Sequence, residues 1–127
     1  MKNTLTDKNG DPVVITASAL TPIVYKHVFG GDMLKDLNAI RNGAVESTNI
    51  FDLNSKCAFV MAAQAEHAKD LSALMAVTQT NYYEFLDRFS SDYFFSESAQ
   101  GLVFGTWFNN AEVIDKAKNP QSPQSAS

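Results

Sequence analysis

Four sets of residues carry the side-chain types that chemistry requires: the carboxylates Glu84 and Asp87, the histidines His27 and His67, the thiol of Cys57 and the glycine pair Gly30-Gly31. On a helix, Glu84 and Asp87 share one edge and have the spacing to pair an acid with a base. No nucleophile or companion base accompanies them, and the same spacing suits a solvated edge in which Glu84 also serves a helix cap. His27 and His67 lie forty residues apart, and neither has a second His or Cys at metal-ligand spacing. They read as a helix-face and a helix-end residue. Gly30-Gly31 is followed by Asp32 rather than by the Lys-Ser/Thr of a phosphate loop, and the Asp32 carboxylate would repel a phosphate. Cys57, the single cysteine, sits in the apolar run "CAFVMAA" and reads as a small buried side chain. One cysteine excludes an intrachain disulfide and suits a reducing compartment, so the cytoplasm is the expected location. No catalytic, metal or cofactor set is expected, and an enzyme is not the reading.

The elements that position these residues follow from periodicity and punctuation. "NTLT" and "VVITA" flank "DKNGDP", whose Asn9-Gly10 suits the positive φ of a tight turn, so residues 1–17 read as a β-hairpin. Alternation places Val13, Ile15 and Ala17 on one face and Val14 and Thr16 on the other. Thr21-Pro22 reads as an N-cap followed by proline in the first helical position, opening a short helix to about Phe29. Gly30 or Gly31 then stops that helix, and Asp32 caps the next, an amphipathic segment with apolar residues at 33, 34, 37 and 40 that closes at Asn42-Gly43. Ala44 to Asn49 reads as polar loop. From Gly43 to Gly101 the chain has neither Gly nor Pro between those ends, which points to helix. "CAFVMAA" is apolar around its whole circumference and is expected to be the central helix. "AEHAKD" marks a break, "LSALMAV" a short helix, and "NYYEFLDRF" a helix opened by Asn81 with Glu84 three residues on. A last helix is expected from about Ser98 to Lys116, and the Pro-, Ser- and Gln-rich residues 117–127 read as a disordered polar tail.

The fold class expected is therefore mostly α: a compact domain over residues 1–116, of five or six helices with a small N-terminal hairpin. Its 127 residues allow one modest core, and 45% hydrophobic content is enough to offset the entropy of ordering the chain. Net charge is −4 with Lys and Arg scattered, which argues against nucleic-acid binding. No apolar run approaches the roughly 20 residues that cross a bilayer, and the N-terminus lacks the apolar stretch of a secretory signal.

With no chemistry assigned, the remaining signal is apolar. "GLVFGTWF" sets Gly101 and Gly105 one turn apart, where two glycines let another backbone approach, and places Phe104, Trp107 and Phe108 on the same helix. Together with Tyr25 and Phe29, these aromatic residues exceed what one small core can hide, and they are the candidate protein-contact residues. Pro22, Gly30, Gly31 and Asp32 form the corner between two of the helices.

The succession of "SALTPIVYKHVFGGDMLKDL", "FVMAAQA" and "NYYEFLDRF" resembles the small tail assembly chaperones of long-tailed phages and prophages of Gram-positive bacteria. The first segment carries most of the likeness: a Thr-Pro, an aromatic at 25, Phe29-Gly30 and Asp32 before an apolar residue, over a resemblance that covers residues 1 to about 115. The double glycine and the long polar connection "EHAKDLSALMAVTQT" depart from that pattern. The resemblance implies a non-enzymatic homo-oligomer that coats the helical tape-measure protein until tail-tube subunits polymerise around it, often alongside a longer form made by ribosomal frameshifting. Another helical adaptor, such as a head–tail joining protein, is the alternative. Neither implies a cofactor, a nucleic acid or a membrane.

Overall fold

The computed structural model describes the backbone of residues 2–41 and 47–118 and the side chains of residues 2–39 and 50–109. The expected helix stop at Asn42-Gly43, residues 44–46 of the expected loop and residues 119–127 of the expected tail lie outside the described residues. The fold is mostly α. A hairpin of β1 (Lys2–Thr6) and β2 (Pro12–Thr16) precedes α1 (Thr21–Phe29), α2 (Met33–Arg41), α3 (Ser47–Glu66), α4 (Leu71–Met75), α5 (Gln79–Leu86), a 3-10 turn (Tyr93–Phe95) and α6 (Glu97–Lys118). Two boundaries move: α3 begins at Ser47, inside the stretch expected to be loop, and α6 runs two residues past Lys116.

The strands are antiparallel, with Leu5 opposite Val13 and Asn3 opposite Ile15. Their alternation buries Leu5, Val13, Ile15 and Ala17 and leaves Val14 exposed. A two-stranded pair is marginal alone, and α3 covers its buried face. Burial of Leu5 and Ile15 alone contributes about 1.5–3 kcal/mol each by transfer from water. The turn is held by Asp7, whose Oδ1 accepts from the backbone N–H groups of Asn9 and Asp11, both at 2.9 Å. Gly10 takes the positive φ, at 84°. Three polar bonds carry the hairpin onto the helices: Asn3 Nδ2 donates to Thr106 Oγ1 at 2.7 Å, Thr6 N–H to the Tyr93 hydroxyl at 3.2 Å, and Lys8 N–H to the Arg88 carbonyl at 2.9 Å.

α3 is the central helix, as its apolar run implies. Leu53, Cys57, Ala58, Phe59, Val60, Met61 and Ala63 are all buried, on every side of the helix. Rings from other elements stack onto it in a continuous line. Phe29 meets Tyr82 at 4.9 Å, Tyr82 meets Phe59 at 5.6 Å, Phe59 meets Phe85 at 5.6 Å, and Phe85 and Phe94 each lie 5.0 Å from Phe89. These edge-on and tilted pairs suit the ring quadrupole and join α1, α3, α5 and the 3-10 turn.

The caps depart from expectation in two places. Thr21 is not the N-cap of α1. Leu20 holds that position, and the Thr21 hydroxyl instead accepts from Ser18 N–H at 3.0 Å and donates to the Gln64 side-chain oxygen of α3. Gln64 Nε2 returns a bond to Ser18 Oγ at 2.8 Å, so a polar triad fastens the start of α1 to the end of α3. At α5 the N-cap is Thr78, three residues before the expected Asn81. Thr78 Oγ1 accepts from Asn81 N–H, and the Asn81 side chain reaches back to Thr78 N–H at 2.9 Å. Asn81 is thus the third residue of the box rather than its opener, because a threonine precedes it at the right spacing.

The corner between α1 and α2 divides its glycines. Gly30 has φ 77° and its N–H bonds the Lys26 carbonyl at 2.8 Å, so it is the helix stop. Gly31 has no positive φ, and a β-carbon there would sit 3.5 Å from Tyr25 Cε1, ordinary contact. Asp32 caps α2 as expected, with Oδ1 accepting from Lys35 N–H at 3.1 Å. Gly30→Ala is therefore expected to lower stability by about 1–2 kcal/mol, the cost of a side chain in the left-handed region. Gly31→Ala should change stability by under about 0.5 kcal/mol, a surface-like effect. Urea unfolding of the two variants checks the contrast.

Candidate protein-interaction surface

The residues with chemical potential do not converge. His27, exposed on α1, places Nε2 2.8 Å from the Met75 carbonyl and so links α1 to α4. Asp87 closes α5, while Glu84 accepts from Asn81 Nδ2 at 3.1 Å. No group of three or more His, Cys, Asp or Glu side chains suited to a metal ion exists among the described residues. No helix among them is long and apolar enough to cross a membrane. Cys57 is buried at 2% exposure, and burial pushes its thiol well above the ordinary value, with the Asp36 and Asp52 carboxylates adding to the rise. Burial likewise raises Tyr25 and Tyr82, the latter despite its 2.8 Å hydrogen bond with Ser55 Oγ.

The aromatic residues chosen from the sequence have separate fates. Tyr25 is 3% exposed and belongs to the core, so its side chain is not offered to a partner. Tyr25 and Phe29 lie one turn apart on α1 with their rings 5.3 Å apart, and α3 packs against Phe29 through Phe59. Phe29 is half-buried against Tyr25, Phe59 and Tyr82, with the Lys56 ammonium 5.1 Å from its ring centre. Phe104, Trp107 and Phe108 are half-buried against the core on α6, where Ala99, Val103 and Thr106 take the inner face. A β-carbon on Gly101 or Gly105 would meet nothing within 4 Å, so no other backbone approaches those glycines within the described chain. The excess of aromatic surface inferred from sequence is smaller than expected, because the ring line hides most of it. Only Tyr83 and Phe95 are exposed among the described aromatic residues.

Aliphatic residues supply the open surface instead. Leu20, Ile23, Leu34 and Leu71 are exposed, Ile23 and Leu71 by more than half at 56% and 58%. His27 bonds the Met75 carbonyl, which ties α1 to α4, and Gln79 Nε2 donates to the Val28 carbonyl at 3.3 Å, which ties the end of α1 to the start of α5. Ile23 stands one turn before His27 on α1, and Leu71 one turn before Met75 on α4. Spacing along α1 does not say which of its faces lacks cover.

Beside α4 lies a groove of about 780 Å³ between β2, the second half of α3, α4 and α5. Val13, Phe59, Ala63 and Phe85 form its floor, and Ala62, Ala65, Ala73 and Ala76 its sides. Glu66, His67, Glu84 and Arg88 stand among the lining residues. Sequence reasoning missed the groove. Its alanines read as good helix formers, and only packing shows that their short side chains leave space. Comparison with family models, with curated proteins and with solved structures returns no match for this chain.

The buried acids set an alkaline limit. An unfolded chain releases the Cys57 proton near its ordinary value of 9.0, and Tyr25 follows near 10.0, while the folded chain keeps both. The native state then binds more protons, so stability is full below those values and falls as pH rises through them. Cys57 alone is expected to contribute a slope of about −1.4 kcal/mol per pH unit above that point. Urea midpoints measured from about pH 8 to about pH 10.5 should fall, and Cys57→Ala should remove the earlier part of the fall.

Proposed function

We propose that this protein is a non-enzymatic holding chaperone, and specifically a tail assembly chaperone of a long-tailed phage or prophage that keeps the tape-measure protein soluble in the bacterial host cytoplasm. The observation that carries the reading is apolar surface left open on and around the short α4: Leu71 on α4 and Ile23 on α1 are each more than half exposed, and a groove lined by Ala62, Ala65, Ala73 and Ala76 runs beside α4. A small helical domain that leaves such a surface open has a use for it in protein contact. The resemblance of "LTPIVYKHVFGGDML" to the family's first segment supports the choice of client. That segment forms α1, which carries Ile23, and the Gly30–Asp32 corner.

Holding a long helical client requires many weak contacts repeated along it. Sites of modest affinity become effective when several copies act on one chain, so self-association along the client belongs to the same reading. Phe104, Trp107 and Phe108, half-buried on α6, remain the candidates for contact between copies. A frameshifted longer form and a hand-over to the tail-tube protein are further parts of the proposal. A head–tail joining adaptor has no observation in its favour beyond the same apolar surface.

Co-expression with the long helical product of the neighbouring reading frame tests the proposal. The wild-type chain is expected to keep that product in the soluble fraction, and Ile23→Asp with Leu71→Asp to lose at least about half of that effect while retaining the native circular dichroism spectrum. A client equally insoluble with and without the wild-type chain would end the reading. Phe29→Ala is expected to fail for a different reason, through loss of about 3–5 kcal/mol of stability from the ring line.

A further inference from the structure

The groove beside α4 has features that specify its occupant more narrowly than apolar surface does. Its sides are alanines on two different helices, Ala62 and Ala65 on α3 and Ala73 with Ala76 on and just after α4. Short side chains on α3 and α4 leave open space above the buried Phe59 and Phe85, where a helix could lay its apolar stripe against the four alanines. The β2 rim is badly suited to adding a strand, because Pro12 at its start has no N–H to donate. The occupant is therefore helical.

Charge decides its flanks. Glu66 on α3 and Glu84 on α5 are exposed carboxylates lining the channel from different helices. The strong base that lines it, Arg88, has its guanidinium 3.8 Å from the buried carboxylate of Asp7, which offsets its charge. His67 is the remaining titratable group there. In a chain of net charge −4, a cleft with this lining concentrates negative potential over an apolar floor. We infer that the groove binds an amphipathic helix of a partner protein whose narrow apolar stripe is flanked by Lys or Arg on both sides, the ammonium or guanidinium groups meeting Glu66 and Glu84. This rests on the holding-chaperone reading for its biological setting and names the client segment that the chaperone grips.

The test uses the full chain, three fluorescein-labelled helical peptides of about 18 residues, long enough for five turns, and a fourth labelled peptide, an extended Val/Thr sequence. One carries an Ala/Leu stripe with Lys flanks, the second the same stripe with Glu flanks, and the third the Lys composition in scrambled order. Fluorescence anisotropy is expected to show the Lys-flanked peptide binding at least about tenfold more tightly than either other. That binding should weaken as salt is raised from about 50 to about 500 mM. Glu66→Lys with Glu84→Lys, both at exposed positions, should reverse the preference between Lys and Glu flanks, and Ala76→Arg should abolish binding of both. Equal affinity for the Lys- and Glu-flanked peptides would overturn the inference, as would tighter binding of an extended Val/Thr peptide. Dimerisation of the chain that Ala76→Arg removes, without any peptide preference, would assign the groove to a second copy and overturn it too. Client solubility separates the two levels. A client that stays soluble with Ala76→Arg removes the groove from client binding and leaves the chaperone reading in place, whereas a client insoluble with the wild-type chain removes that reading whatever the peptides do.

Discussion

Burial of α3 on every side is the constraint from which the other placements follow. A helix with Leu53, Cys57, Phe59, Val60 and Met61 spread around its circumference has no face it can leave in water, so each neighbouring element must cover one. The hairpin takes one side, α1 another, and α5 with the 3-10 turn a third. The polar side chains within α3 are spent on fixing these covers. Gln64 holds Ser18 and Thr21, Ser55 holds the Tyr82 hydroxyl, and Asn54 Nδ2 donates to the Phe94 carbonyl at 2.8 Å. Asn54 Oδ1 is buried and has no hydrogen-bond partner among the described residues.

The covering elements are short, and their shortness produces the open surface. α1 has nine residues and α4 only five, so neither can present a covered face on all sides. α4 is held by the Asp70 cap, whose Oδ1 accepts from Ala73 N–H at 3.0 Å, and by its bond to His27, rather than by deep burial. Leu74 is its one buried side chain. A five-residue helix anchored by one buried leucine, with Leu71 exposed and a groove beside it, is held by few buried apolar contacts.

Aromatic content is a poor guide to what this fold leaves exposed. Rings pair with one another at favourable angles, and once Phe59 of α3 offers one end, Tyr82, Phe85, Phe89 and Phe94 add to the line and are withdrawn from the surface. Aliphatic side chains have no such mutual geometry. Ile23 and Leu71 stay exposed, with no element among the described residues reaching over them.

Local patterns in the sequence determined the elements: the period-two alternation of β2, the Gly30 stop and Asp32 cap, the break at "AEHAKD", and the fully apolar run that had to be the central helix. Each of these rests on interactions within a few residues, where spacing alone carries the physics. The cap of α5 lies at Thr78 for a local reason, a threonine three residues before Asn81. The cap expected at Thr21 differs because a hydroxyl can serve a near backbone group or a distant side chain, and only the arrival of Gln64 beside Thr21 decides which. The burial of Tyr25, the openness of Ile23 and the groove behind Ala62 and Ala73 were likewise settled by tertiary structure. Whether an apolar side chain is core or surface depends on which distant element covers it, and no local spacing records that.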